Sequence, residues 1–272
     1  YLLKSILCFT ILLAFYKIAL ESLSIHKFKR FYLLTILPCA FIIPLITLTT
    51  YIEPAIDFGT YDPNSGMTPP YFAAEIITET QEQSSNYLPI ILWSIYTLGV
   101  VVFATKFCLN LYRITSKIKT HQKVKTRSFI NVLIQQLSVP HTFFYYIFLN
   151  KEAFENQQIP KEVLLHEETH AKQLHSIDIL LIEVFQILFW FNPLIYSYKK
   201  SIKLNHEFLA DAAVLDQGVS KPEYQNILLA FSSNATHQPL ANAINYSLIK
   251  KRFTVMKTQS SKTSIWIRSI LL

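Results

Sequence analysis

Three apolar runs, Tyr1 to Leu20, Phe31 to Thr49 and Tyr87 to Phe107, each reach the length of about 20 residues at which a helix crosses a bilayer. The first lacks a small-residue cleavage site and is followed at once by the second, so it reads as a span and not as a signal peptide. A composition with 51% hydrophobic and 16% charged residues and four glycines is too apolar for an ordinary soluble domain. Part of the chain is expected to sit in lipid.

The formal charge of +7 is segregated along the chain. Six acids (Glu53, Asp57, Asp62, Glu75, Glu79 and Glu82) and no Lys or Arg lie between Tyr51 and Leu88. From Lys106 to Arg127 there are seven basic residues and no acid, and His26-Lys27-Phe28-Lys29-Arg30 sits between the first two runs. By the positive-inside rule the amino terminus and the acidic loop face outward, and everything after Phe107 begins in the cytoplasm. Topology accounts for the basic stretch, so no direct nucleic-acid binding is expected. The cysteines Cys8, Cys39 and Cys108 show no C-x-x-C spacing and read as packing residues.

This gives a division into a membrane region 1–107, with spans at about 1–20, 31–49 and 87–107 and an outer loop 50–86. A cytoplasmic domain 108–258 follows, then the start of a fourth span at 259–272, flanked by Lys250, Lys251, Arg252 and Lys257. With Tyr1 in place of Met and an apolar run cut at Leu272, the sequence is expected to be a piece of a longer chain. In the inner domain Phe129 to Gln136 and Thr142 to Leu149 read as two strands broken at Pro140. Pro160 opens a helix, a second runs from about Tyr198 to Asp216 and stops at Gly218, and Ser220-Lys221-Pro222-Glu223 starts a third.

His166-Glu167-Glu168-Thr169-His170 is an H-E-x-x-H pattern on the first of these helices. Imidazoles at i and i+4 share one face and can take two corners of a tetrahedral zinc, while the intervening glutamate reaches water on the metal. The bland alternative is a helix with two histidines on its polar face. A catalytic zinc needs a third protein ligand, and His175, Asp178, Glu183, His206, Glu207 and Asp211 are candidates. His175 follows too closely to return to the same metal from one helix, and Asp178 would assist only if that helix ended early. Glu207 and Asp211 are i and i+4 on the second helix, so one carboxylate can bind metal while the other fixes an imidazole N–H. Ile177 to Tyr198 is long enough to cross the membrane, which would leave Glu207 about 30 Å from His170. Glu183, Gln186 and the Asn192-Pro193 break argue against that crossing and for a turn back toward the site.

The segments His166 to His170, Phe189-Trp190-Phe191-Asn192-Pro193 and Asn205-His206-Glu207-Phe208-Leu209-Ala210-Asp211 resemble the BlaR/MecR family of antirepressor membrane metallopeptidases. The pairing of H-E-x-x-H with E-x-x-x-D also resembles the HtpX and CAAX prenyl protease group. The resemblance implies a mainly α integral membrane protein of the inner (cytoplasmic) membrane, with three or more spans and a cytoplasmic, gluzincin-like α+β zinc protease domain. It implies Zn²⁺ on His166, His170 and Glu207, Glu167 as general base and Asp211 behind an imidazole. It further implies signalling by cleavage of the protein itself or of a transcriptional repressor. A quality-control protease of the HtpX kind and a non-catalytic membrane transducer are the competing readings.

Overall fold

The first two apolar runs pair as an antiparallel hairpin in the computed structural model, which describes residues 1–46, 87–126, 128–233 and 239–257. Helix α1 (Leu2–Phe15) continues through a π-helical stretch to Leu20, and α2 (His26–Ile42) returns, ending in a single 3-10 turn. The Tyr1 hydroxyl donates to the Phe41 carbonyl at 2.7 Å and the Tyr32 hydroxyl to that of Leu12 at 3.0 Å, which fixes the antiparallel register. Helix α3 (Leu88–Thr120) is the third element long and apolar enough to cross a membrane. Its side chains Ile90, Ile91, Leu92 and Trp93 are exposed, as lipid-facing residues would be. The expected outer loop and the expected fourth span lie outside the described residues.

The division expected at 107–108 falls inside α3. Residues 107–120 contain neither Gly nor Pro, so nothing interrupts the helix where the apolar run ends. It continues into a four-stranded sheet of order β1-β2-β4-β3, formed by β1 (Gln122–Lys125), β2 (Ile130–Ile134), β3 (His141–Phe143) and β4 (Tyr146–Asn150). The run Thr142 to Leu149, expected as one strand, is a β3–β4 hairpin. Phe144 turns the chain there with φ 51°, and its N–H donates to Ser176 Oγ at 2.8 Å. β2 and β4 pair in parallel at the centre of the sheet, and β3 lies at an edge.

Strand alternation sends Val132 and Phe148 to one face, against Ile114 and Ile118 of α3. It sends Leu133, Ile147 and Leu149 to the other face, against Phe154 of the short α4 (Lys151–Glu155) and Leu164 of α5 (Lys161–Lys172). Leu174, with φ 52°, separates α5 from α6 (His175–Leu188). The chain then reverses over residues 189–192. Asn192 caps α7 (Pro193–Leu215) by accepting from the Leu194 N–H at 3.0 Å, and Pro193 supplies the preset φ of a first helical residue. The Ile177 to Tyr198 stretch is therefore a helix, a turn and the start of a second helix. Ile182, Ile195, Tyr198 and Ile202 from these two helices complete the core that Leu13, Leu33 and Ile36 begin in the hairpin. Helices α8 (Lys221–Ser233) and α9 (Pro239–Lys257) close the far side, where Val214, Tyr224 and Met256 are buried together.

Trp190, on the reversal, pins α3 to this assembly. Its indole N–H donates to the Tyr96 carbonyl at 3.3 Å and its ring stacks on Phe103. A Cβ at Gly99 would lie 2.1 Å from Trp190 Cε2, so only glycine admits the ring. Gly99→Ala is expected to cost about 1–3 kcal/mol through overpacking. It should lower the melting temperature of the detergent-solubilised protein, and less so in a Trp190→Ala background. Equal losses in both backgrounds would show that the ring is not the obstacle.

Candidate metal centre

Packing of α5 on α7 sets H-E-x-x-H against E-x-x-x-D. His166, His170 and Glu207 present ligand atoms that all lie within 4.8 Å of one another. The two Nε2 atoms are 3.1 Å apart; His166 Nε2 is 3.4 Å from Glu207 Oε2, and His170 Nε2 is 3.6 Å from Glu207 Oε1. Tetrahedral zinc with bonds of about 2.0–2.1 Å separates neighbouring donors by roughly 3.3 Å. Two imidazole nitrogens and a carboxylate at this spacing fit such an ion.

Each ring is held from behind through Nδ1, which leaves Nε2 toward the shared point. His166 Nδ1 lies 2.9 Å from the Tyr224 hydroxyl, which itself donates to Asp211 Oδ1 at 2.9 Å. His170 Nδ1 is 2.8 Å from His175 Nδ1, so one of the two nitrogens carries the hydrogen. His175 thus reaches the back of the His170 ring, because α5 ends at Lys172 and the left-handed Leu174 folds the next residue back. It touches the ring and not the metal position. Asp178, on the next turn, accepts from Arg30 and His206.

Glu167 is buried, with Oε2 accepting from Thr142 Oγ1 on β3 at 2.7 Å. Arg252 of α9 was not legible as part of the site. Its Nε donates to Asp211 Oδ2 at 2.8 Å and its Nη1 stands 3.0 Å from Glu207 Oε2. Of the other residues considered, Glu183 pairs with Lys199. Tyr198 donates to the Leu33 carbonyl in the membrane-side core, and His206 lies stacked on His175.

Burial alone would discharge His166, but the Asp211 and Glu207 carboxylates outweigh it and lift the imidazole to about 9. Burial dominates at His170 and lowers it to about 4. Burial also raises Glu167, despite the opposing pull of His166 and Thr142. At Glu207 and Asp211 burial is overcome, chiefly by Arg252, and both carboxyls are held below their ordinary range. One cleft of about 580 Å³ reaches all three donors and Glu167. Its walls are apolar: Phe107, Leu111 and Ile114 of α3, Phe143 of β3, and Ile179 and Leu180 of α6.

A histidine pair with an intervening buried glutamate thus faces a carboxylate from a neighbouring helix, beside helices long and apolar enough to cross a membrane. Residues 146–256 match the BlaR1 peptidase M56 family, which supports a BlaR/MecR-type family for this segment. Regulatory protein BlaR1 of Staphylococcus aureus is 27% identical over 148 residues, covering 48% of this chain and 25% of that protein. Regulatory protein BlaR1 of Bacillus licheniformis is 32% identical over 120 residues, covering 41% of this chain and 20% of that protein. The matched stretch spans a quarter or less of either relative.

Arg252→Met would leave Asp211, 2% exposed, without its cation. Loss of one partner from a buried pair costs about 3–5 kcal/mol. Asp211 has a depressed pKa, so the stability it contributes is present above its unfolded value, about 3.9, and fades as pH falls through the lower folded value. Thermal melts of metal-free protein should therefore show a large deficit for Arg252→Met at pH 7 that persists to about pH 4 and narrows only below it. A deficit independent of pH would assign the loss to packing.

Proposed function

We propose that this chain is a membrane-bound zinc endopeptidase that passes on a signal by cutting itself or a repressor protein on the cytoplasmic side of the inner membrane. One observation carries the reading: two imidazoles and a carboxylate, with ligand atoms within 4.8 Å of one another, open beside a buried glutamate onto a cleft of about 580 Å³. The basic residues flanking the spans support the cytoplasmic placement of the site. The signalling role is supported by the regulatory relatives, and the whole protein's activity is proposed from them.

His166, His170 and Glu207 hold the metal, and Asp211 steadies His166 through Tyr224. Zinc, when bound, supplies Lewis acidity to the scissile carbonyl and to the attacking water. Glu167 accepts the water proton and delivers it to the departing amine. Its elevated proton affinity suits both halves of that transfer. Thr142 Oγ1 lies within hydrogen-bond distance of both Oε2 and the backbone carbonyl of Glu167, which holds that carboxylate oxygen against β3.

The same strand offers a way to hold substrate. β3 is three residues long, lies at the sheet edge and lines the cleft, so an extended peptide can add to it through main-chain hydrogen bonds. The other edge, β1, does not line the cleft.

Purified full-length protein in detergent is expected to carry about one zinc per chain and to show self-cleavage. Glu167→Gln should keep the metal and lose roughly 10²- to 10⁴-fold in cleavage rate. Glu207→Ala should lose both metal and cleavage. Full zinc in Glu207→Ala would remove that residue from the ligand set, and a zinc-free wild type would end the peptidase reading.

A further inference from the structure

The cluster at residues 26–30 reads in the sequence as an inner membrane flank, which asks only for positive charge near headgroups. The fold uses it differently. Arg30 reaches into the protein, donating from Nε to Asp178 Oδ2 at 2.7 Å and from Nη2 to Asp178 Oδ1 at 3.1 Å. Its Nη2 also donates to the Gln173 carbonyl at 2.9 Å, at the end of α5. Asp178 is 5% exposed and takes His206 Nε2 on Oδ2 at 2.8 Å. The His206 ring lies flat on His175, with centroids 4.0 Å apart, and His175 meets the back of His170.

The other side of the same α7 turn is held by the same turn of α2. The Asn205 amide donates to the His26 carbonyl at 3.1 Å, the His26 ring packs on Phe208, and the Lys29 ammonium stands 4.8 Å over the Phe208 ring. Residues 205, 206 and 208, which bracket Glu207, are thus each fixed by the first turn of a membrane helix, directly or through Asp178. Charge near a headgroup needs none of this: a bidentate guanidinium on a buried carboxylate is a directional contact.

We propose that Arg30 is a positioning residue for the metal centre, setting the His206–Glu207 turn and the back of His170 through Asp178. The inference rests on the zinc-site reading above. Arg30 touches no reacting atom; it fixes the residues that hold the donors, as outer partners of metal ligands commonly do.

The test uses full-length protein in detergent, zinc affinity by chelator competition, and the visible ligand-field bands of the cobalt(II)-substituted protein. Lys27→Gln serves as control, because it removes charge from the same flank without touching Asp178. Arg30→Gln is expected to weaken zinc binding by roughly 10- to 100-fold and to shift the cobalt bands. Arg30→Lys, keeping the charge but not the fork, should recover part of both, and Lys27→Gln should match wild type. Arg30→Gln with wild-type affinity and bands overturns the proposal, as does equal weakening in Arg30→Gln and Lys27→Gln. Should Arg30→Gln not accumulate, Asp178→Asn takes its place: altered bands support the proposal and wild-type bands overturn it. A wild type that takes up neither metal overturns the zinc reading itself, and this inference with it.

Discussion

Everything at the metal centre depends on the chain reversing between Phe189 and Asn192. A helix that continued through this stretch would be a fourth membrane crossing and would strand Glu207 on the far side from His166 and His170. Asn192 and Pro193 impose the reversal locally, one by capping the new helix and the other by supplying its preset φ. Packing of Ile182, Ile195, Tyr198 and Ile202 against the α1–α2 hairpin holds the two arms side by side. The apolar character that makes the stretch look like a span is the character that glues it to real ones.

The donor set brings two carboxylates and two imidazoles into one buried region, and Arg252 resolves the resulting repulsion between Glu207 and Asp211. Its guanidinium lies against both, which favours their ionised forms. Tyr224 divides the labour further, since its single hydroxyl links His166 to Asp211. A cation brought in by α9 and a phenol brought in by α8 thus condition a site whose donors all come from α5 and α7.

The donors were legible because their spacing is local: i, i+4 on one helix for the histidines, and i, i+4 on another for Glu207 and Asp211. Arg252, Tyr224 and Thr142 were not, because they arrive from separate elements and no spacing links them to the motif. The contact of His175 with the back of His170 was not legible, because the helix break that makes it occurs at Leu174, without the Gly or Pro that would have announced it. The same absence of a signal hid the β3–β4 hairpin, turned by Phe144. Strand β1 was missed because Gln-Lys-Val-Lys is a polar edge sequence that pairs through its backbone with β2. The helices flanking the site followed their caps closely, with Gly218 (φ 86°) just beyond α7.

The contact of Trp190 with Gly99 makes α3 a lever. Phe107, Leu111 and Ile114, which form one wall of the cleft, lie further along the same uninterrupted helix, the middle of that wall roughly 18 Å from the contact at about 1.5 Å per residue. A tilt of about 3° around that fulcrum displaces the wall by about 1 Å, on the order of the misplacement that costs an enzyme a hundredfold in rate. The width of the cleft is in this way tied to the tilt of one long apolar helix.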